Sequence, residues 1–183
     1  MKGAVVLASN HASFLDPPLI GAAVPREASF LARESLFRFP PLGALIRSIN
    51  ALPVDREGKS PRGLKTILNR LKQQAPVVLF PEGTRSSDGK LLPARSGVGL
   101  AVVKSGAPVV PIRIFGSFEA YNRRMLFPRP FRITVVFGEP IHFSSPRKGT
   151  STGKGDRSKE IYSEVSAQIM SAIEHLNPDG SSS

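Results

Sequence analysis

The stretch AVVLASNHASFLDPPL, residues 4–19, contains the pattern that decides the fold. It starts with a short apolar run, continues through a polar turn and ends in Asp-Pro-Pro, a sequence typical of a helix start. Asp16 is expected to be the N-cap of that helix, with Pro17 as its first residue. Because the run is apolar on both faces, it predicts a strand of a sheet that helices cover on both sides.

Similar apolar runs recur along the chain and alternate with segments of helical periodicity. The runs predicted to be strands are residues 4–9, 28–32, 51–55, 76–80, 108–115 and 131–138. The segments predicted to be helices are residues 61–72, 96–105 and 158–176. This alternation predicts an α/β domain with a mixed, mostly parallel sheet covered by helices.

The length of 183 residues suits one such domain. Its core is predicted over residues 1–143, followed by a flexible Gly- and Ser-rich connection over 144–158. A C-terminal helix over 159–176 is expected to pack on the core, and residues 177–183 to form a disordered tail.

Composition limits the chemistry. With no cysteine, the chain excludes disulfides, thiolate nucleophiles and Cys-ligated metal sites. The 25 basic and 14 acidic residues give a net charge of +11, which favours phosphate-rich partners. The chain has no apolar run of about 18 residues and no signal-peptide pattern, so any membrane contact is expected from the surface. It also lacks a nucleic-acid recognition motif, so no nucleic-acid partner is expected.

Two strand ends carry the candidate chemistry. Five residues on an ideal helix turn through roughly 500°, so His11 and Asp16 can meet only if the chain turns between them. The carboxylate would then reach Nδ1–H of His11, fix its tautomer and make Nε2 the base. The alternative is a plain helix cap beside an ordinary loop histidine.

The second strand end carries PEGTRSSDGK, residues 81–90. Glycine allows backbone N–H groups to approach an anion, threonine adds a hydroxyl donor, and arginine makes bidentate contacts to phosphate. The alternative is a β-turn with a solvated Glu–Arg pair. Arg33 and Arg56 follow other predicted strands and could reach the same sheet edge, although most arginines are simply solvated.

Taken together, four blocks in order resemble the glycerolipid acyltransferase family, specifically its 1-acylglycerol-3-phosphate acyltransferases. They are NHASFLD (10–16), ARESLFRFPPLGALIRSINALPVDR (32–56), FPEGTRS (80–86) and APVVPIRI (107–114). The resemblance covers residues 4–140 and implies a glycerol-3-phosphate (1)-acyltransferase-like fold.

The resemblance also implies roles for particular residues. His11, oriented by Asp16, would be the general base that takes the proton from the free hydroxyl of 1-acylglycerol 3-phosphate. That hydroxyl would then accept the acyl group, which gives phosphatidic acid. The residues implied to bind the acceptor and its phosphate are Ser13, Arg33, Arg56, Glu82, Gly83, Thr84 and Arg85. The acyl donor would be acyl-CoA or acyl-carrier protein as co-substrate, with no cofactor and no metal.

The chain departs from the family pattern in two ways. Arg33 stands where the family commonly has lysine, and the histidine block begins at residue 10, whereas family members usually carry several tens of residues before it. Either this chain is a fragment or it docks by another surface. YNRRMLFPRPFR, residues 121–132, is a candidate for docking on an anionic membrane at the cytoplasmic face. The alternative is an ordinary loop with its apolar residues packed beneath it.

Two other functions stay open at this stage. The acceptor could be a different molecule, such as glycerol 3-phosphate or a lyso-ornithine lipid. The chain could also be a non-catalytic basic protein that binds membranes, which explains the charge but not the four ordered blocks.

Overall fold

The computed structural model describes residues 3–48, 50–54, 62–143 and 156–179. Its strands are β1 Val5–Ser9, β2 Phe30–Arg33, β3 Ala51–Val54, β4 Pro76–Leu79, β5 Val109–Phe115 and β6 Thr134–Phe137. Its α-helices are α1 Asp16–Ala23, α2 Pro40–Ser48, α3 Arg62–Lys72, α4 Ser96–Ser105, α5 Ser117–Ala120 and α6 Asp156–Glu174. A short 3₁₀ helix, Glu34–Arg38, precedes α2.

The main sheet has the strand order β4-β1-β5-β6. β1 pairs in parallel with both β4 and β5, whereas β6 runs antiparallel to β5. β2 and β3 form a separate parallel pair, and a parallel bridge between Ser29 and Val77 places that pair beside β4. The prediction of a mixed, mostly parallel sheet is therefore confirmed.

The strands β4, β1 and most of β5 are buried on both faces of the main sheet, whereas β6 at its edge is partly exposed. Along β1, Val5 and Leu7 pack on the side of α1, against Ile20, while Val6 and Ala8 pack on the opposite side. That opposite side is covered by α3, α4 and α6, whose buried residues include Ile67, Val102 and Ile169. Because every residue of β1 is buried, the strand could read as a continuous apolar run in the sequence.

The sequence located all six strands and the helices α3, α4 and α6, with differences of at most three residues at their ends. It missed α2, because Pro40 and Pro41 look like a break in the chain although proline also suits the first turn of a helix. The structure does not describe residues 144–155 and 180–183, so the predicted connection and tail stay predictions. Arg56 also lies outside the described residues.

Within the part of the chain that the structure describes, no helix combines the length and the apolar character that crossing a bilayer requires.

Candidate active site

The two predicted strand ends meet at the carboxyl edge of the main sheet. The chain leaves β1 at residue 10 and β4 at residue 80, and the Ser86 N–H donates to the His11 carbonyl over 2.8 Å. Carboxyl ends of adjacent parallel strands are where α/β sheets place their sites. The sequence-based expectation that the two junctions share one site is therefore supported by a direct contact.

The turn of residues 11–16 closes on a single carboxylate oxygen. Oδ2 of Asp16 accepts hydrogen bonds from His11 Nδ1 over 2.8 Å and from the backbone N–H groups of Ala12 and Ser13 over 2.7 Å each. The side chain of Asp16 is 0% exposed. A carboxylate can only accept, so in the neutral imidazole Nδ1 carries the proton and Nε2 is the basic nitrogen.

Asp16 is not the helix cap that the sequence predicted. α1 begins at Asp16 itself, and Leu15 occupies the cap position without a side-chain hydrogen bond. The carboxylate turns back toward Ala12 and Ser13, because these buried N–H groups require an acceptor and the tight turn brings them to it. Both prolines lie in the first turn of α1, but Pro17 is the second residue of the helix and not, as the sequence predicted, the first.

The loop after β4, residues 80–92, holds His11 from the other side. Glu82 Oε1 accepts the His11 N–H over 2.8 Å, while the His11 carbonyl accepts the Ser86 N–H. The imidazole ring stacks on Phe80, with ring centroids 4.0 Å apart and planes 18° apart. The backbone and the ring of His11 are thus both fixed by this second loop.

Glu82 is 2% exposed and uses both carboxylate oxygens on the main chain. Oε1 faces His11, and Oε2 accepts the N–H of Leu92 over 3.1 Å. Burial raises the pKa of Glu82 to about 7, against the lowering effect of these two hydrogen bonds, and the nearby charge of Asp16 raises it further. The family resemblance assigned Glu82 to the acceptor phosphate, but its carboxylate accepts the backbone N–H groups of His11 and Leu92.

Gly83 and Arg85 give this loop its shape. Gly83 has φ +66°, and a Cβ placed there would lie 2.8 Å from Cδ of Arg95. The guanidinium carbon of Arg85 lies 3.5 Å from the centroid of the Phe14 ring, so Arg85 sits over the His11–Asp16 turn. Thr84 is half-buried between them. The loop therefore places a cation, Arg85, over the turn that contains His11.

Ser13, which the sequence placed among the acceptor-binding residues, is fully buried. Its Oγ donates to the Tyr121 carbonyl over 2.5 Å and accepts the Leu15 N–H over 3.0 Å. These bonds connect the turn of residues 11–16 to Tyr121, directly after α5. Ser13 therefore stabilises the turn and is not exposed to solvent.

Asn10 is a site residue that sequence reasoning did not single out. Its Nδ2 donates to the Ile114 carbonyl over 3.0 Å, and its Oδ1 accepts the Ile114 N–H over 2.8 Å. The side-chain amide thus extends the pairing of β1 with β5 by one step. The only signal in the sequence was its position, directly after the strand and before His11.

Arg33 is the last residue of β2, where its backbone pairs with Val54 of β3. Because β2 runs parallel to β4, this strand end lies on the same edge of the sheet as the His11 turn. A phosphate-binding role for Arg33 and for Arg56 stays a prediction. Among the residues that the structure describes, no group of three His, Cys, Asp or Glu could hold a metal ion.

Comparisons with known proteins agree with this geometry. The acyltransferase family model matches residues 1–115. A 1-acyl-sn-glycerol-3-phosphate acyltransferase of Bacillus subtilis (strain 168) is 30% identical over 138 residues, which are 75% of this chain and 66% of that protein. One from Cocos nucifera is 32% identical over 135 residues, covering 72% of this chain and 44% of that protein.

A solved structure is similar as well. The crystal structure of the 1-acyl-sn-glycerophosphate (LPA) acyltransferase PlsC from Thermotoga maritima matches with a TM-score of 0.68 and 26% sequence identity. The match covers 97% of this chain and 69% of that one. The chain spans less than two thirds of the length of either acyltransferase, from Bacillus subtilis or from Cocos nucifera. The acyltransferase family model matches more than half of this chain. Given the family match and a His–Asp turn held at the carboxyl edge of the sheet, the chain belongs to the acyltransferase family.

Proposed function

We propose that the protein transfers an acyl group from a thioester donor to the free hydroxyl of 1-acylglycerol 3-phosphate, giving phosphatidic acid. The observation that carries the proposal is the 2.8 Å contact between His11 Nδ1 and Asp16 Oδ2. The backbone of this histidine is hydrogen-bonded to Glu82 in the loop of residues 80–92. Relatives named for this reaction support the choice of acceptor. The net charge of +11 suits a phosphorylated one.

In this reaction Nε2 of His11 takes the proton from the acceptor hydroxyl as its oxygen attacks the thioester carbonyl carbon. The buried Asp16 carboxylate stabilises the resulting imidazolium and keeps the ring in place. Collapse of the tetrahedral intermediate breaks the C–S bond, and the imidazolium returns its proton to the departing thiolate. No enzyme nucleophile takes part, so a chain without cysteine can perform every step.

The acceptor phosphate would bind at the Gly83–Arg85 part of the second loop. Arg85 is placed over the turn by its contact with Phe14, a position from which a guanidinium can pair with a phosphate near His11. Arg33 and Arg56 would add charge from the neighbouring strand ends. Glu82 and Ser13 would act indirectly in this scheme, by holding the histidine turn.

The donor would be acyl-CoA or acyl-carrier protein, and the scheme needs no metal. The acceptor is a membrane lipid, so the protein would work as a peripheral protein at the cytoplasmic face of a membrane.

The test is mass spectrometry of the lipid products formed by purified protein from lysophosphatidate and a mixture of acyl-CoAs. Phosphatidic acid should form, and His11→Ala should reduce its rate at least about 10³-fold, because both the base and the returning acid are lost. His142→Ala is the matched control, since His142 is exposed beyond β6.

Parallel reactions with glycerol 3-phosphate and a lyso-ornithine lipid separate the acceptors. Acylation of one of these in preference to lysophosphatidate would reassign the acceptor while keeping the His11 chemistry. Full activity of His11→Ala would reject the chemistry itself.

A further inference from the structure

Residues 121–132, YNRRMLFPRPFR, form a surface segment that we call the arginine–aromatic loop. It follows α5 and precedes β6, and it contains four arginines and no acidic residue. Leu126 is 86% exposed, Phe127 79% and Phe131 54%. The alternative that its apolar residues pack beneath the loop is therefore wrong for these three side chains, although Met125 is half-buried and contacts Asn122.

Single exposed apolar side chains are common on protein surfaces, whereas several together mark a site of interaction. Leu126 and Phe127 are adjacent in the chain, and arginines flank them on both sides at positions 123, 124, 129 and 132. We call Leu126 and Phe127 the apolar tip of the loop. Exposed apolar residues flanked by cations are typical of interfacial membrane segments, in which the apolar part lies below the head groups and the charges lie level with them.

The loop is attached directly to the active site. The Tyr121 carbonyl accepts the Ser13 Oγ–H, and the Tyr121 ring lies 5.5 Å from the ring of Phe14. Arg123 donates to the carbonyl of Arg85. The backbone N–H of Arg129 donates to Ala120, which closes the base of the loop. A surface that docks through this loop would therefore lie next to the His11 turn.

We propose that the arginine–aromatic loop docks the protein on the surface of an anionic lipid bilayer, with Leu126 and Phe127 inserted among the acyl chains. The charges decide the occupant, because four arginines without an acid are complementary to a negatively charged surface and the apolar tip needs a hydrocarbon phase. A nucleic acid would satisfy the arginines but leave the tip in water. The inference rests on the proposed function only in giving a reason for docking, since the acceptor is a lipid.

The first experiment measures sedimentation of the purified protein with vesicles of phosphatidylcholine alone and of phosphatidylcholine with 30% phosphatidylglycerol (roughly the anionic content at which basic segments bind). The protein should bind the anionic vesicles and be released by salt. Leu126→Ser with Phe127→Ser should weaken binding at least about tenfold. Arg124→Gln with Arg129→Gln should weaken it about fivefold for each arginine.

Matched controls change the same chemistry elsewhere. Phe39→Ser removes an aromatic ring that is 61% exposed outside the loop. Lys65→Gln with Lys72→Gln removes two exposed charges from α3. Both control proteins should bind the anionic vesicles within about twofold of the unsubstituted chain.

Three results would overturn the proposal. They are no binding of the unsubstituted protein to anionic vesicles, an equal loss in the control variants, and self-association in solution that the Leu126→Ser, Phe127→Ser change abolishes. The last result would make the loop an interface between copies of the chain.

A second measurement separates this inference from the proposed function. The variant with Leu126→Ser and Phe127→Ser, called the tip variant, should acylate a short-chain lysophosphatidate dissolved as monomers as fast as the unsubstituted protein. On a lysophosphatidate embedded in vesicles, the same variant should lose most of its rate. Vesicle binding without any acyl transfer would reject the proposed function and leave the docking surface standing. Equal rates of the tip variant and the unsubstituted protein in both formats would overturn the docking proposal alone.

Discussion

The turn of residues 11–16 and the loop of residues 80–92 both follow a strand of the main sheet, but they are stabilised in opposite ways. The turn folds around its own carboxylate, as Asp16 accepts three hydrogen bonds on one oxygen from residues three to five positions earlier. In the loop, each oxygen of the Glu82 carboxylate accepts one hydrogen bond, from the N–H of His11 in the turn and from the N–H of Leu92 at the end of the loop. One carboxylate orients the ring of His11, and the other holds its backbone.

The two carboxylates therefore contact different parts of the same histidine. Asp16 contacts the imidazole, so its negative charge would stabilise a proton gained by the ring. Glu82 contacts the backbone N–H of His11, so it affects the position of the residue but has no direct bond to the imidazole. Substituting each in turn should therefore produce different kinetic signatures.

The largest effect is expected for Asp16→Asn, which keeps the shape of the side chain but removes its charge. The imidazolium would lose its counter-charge and the tautomer would no longer be fixed, so kcat should fall about 10³–10⁴-fold. Steady-state kinetics with lysophosphatidate measures this change. Glu160→Gln on the exposed face of α6 is the control and should be silent. A fall of less than tenfold would mean that Asp16 only shapes the turn.

A smaller effect is expected for Glu82→Gln. The amide can accept only one of the two N–H groups that the carboxylate accepts, so the His11 backbone loses part of its support. We expect kcat to fall about tenfold while KM changes little, because small displacements of a catalytic group act on the reacting step. If KM rose and kcat did not change, Glu82 would belong to the acceptor site as the sequence suggested.

Glu82 should also make stability depend on pH. Its pKa is about 7 in the folded protein against an ordinary value of 4.5, so the folded state favours the protonated form. This contribution to the free energy of unfolding is fully present below about pH 4.5 and is lost as the pH rises through about 7. Urea unfolding of the unsubstituted protein and of Glu82→Gln should be compared at pH values from about 4.5 to about 7. As the pH rises, the unsubstituted protein should lose stability relative to the variant. Parallel curves would contradict the assignment.

The smallest effect is expected for Gly83→Ala, which tests the shape of the loop without touching either carboxylate. A side chain at φ +66° is strained, and its Cβ would meet the Arg95 side chain, so the free energy of unfolding should fall by about 1–2 kcal/mol. Gly97→Ala is the matched control, because its added Cβ meets nothing within 4 Å in α4. Thermal unfolding compares the two, and equal melting temperatures would show that the loop relaxes freely.

The sequence predicted the elements of this fold because each buried strand is a local apolar run, as in Val5–Ser9 and Pro76–Leu79. For His11 and Asp16 the residues alone left two alternatives, a contacting pair or a plain helix cap, and only the family resemblance favoured the pair. The sequence could not predict that Glu82 would turn to the His11 N–H or that Asn10 would pair with Ile114. Bonds from a side chain to a backbone 71 or 104 residues away follow no local periodicity.

The pairing of Asn10 with Ile114 has a consequence for how the protein is made. Two groups that hold the turn of His11 and Asp16 belong to Ile114 and Tyr121, which lie about a hundred residues further along the chain and are therefore synthesised later. Contacts this distant in the chain form late in folding, after the intervening helices and strands exist. A nascent chain that ends before β5 therefore contains His11 and Asp16 but still lacks the contacts that hold their turn.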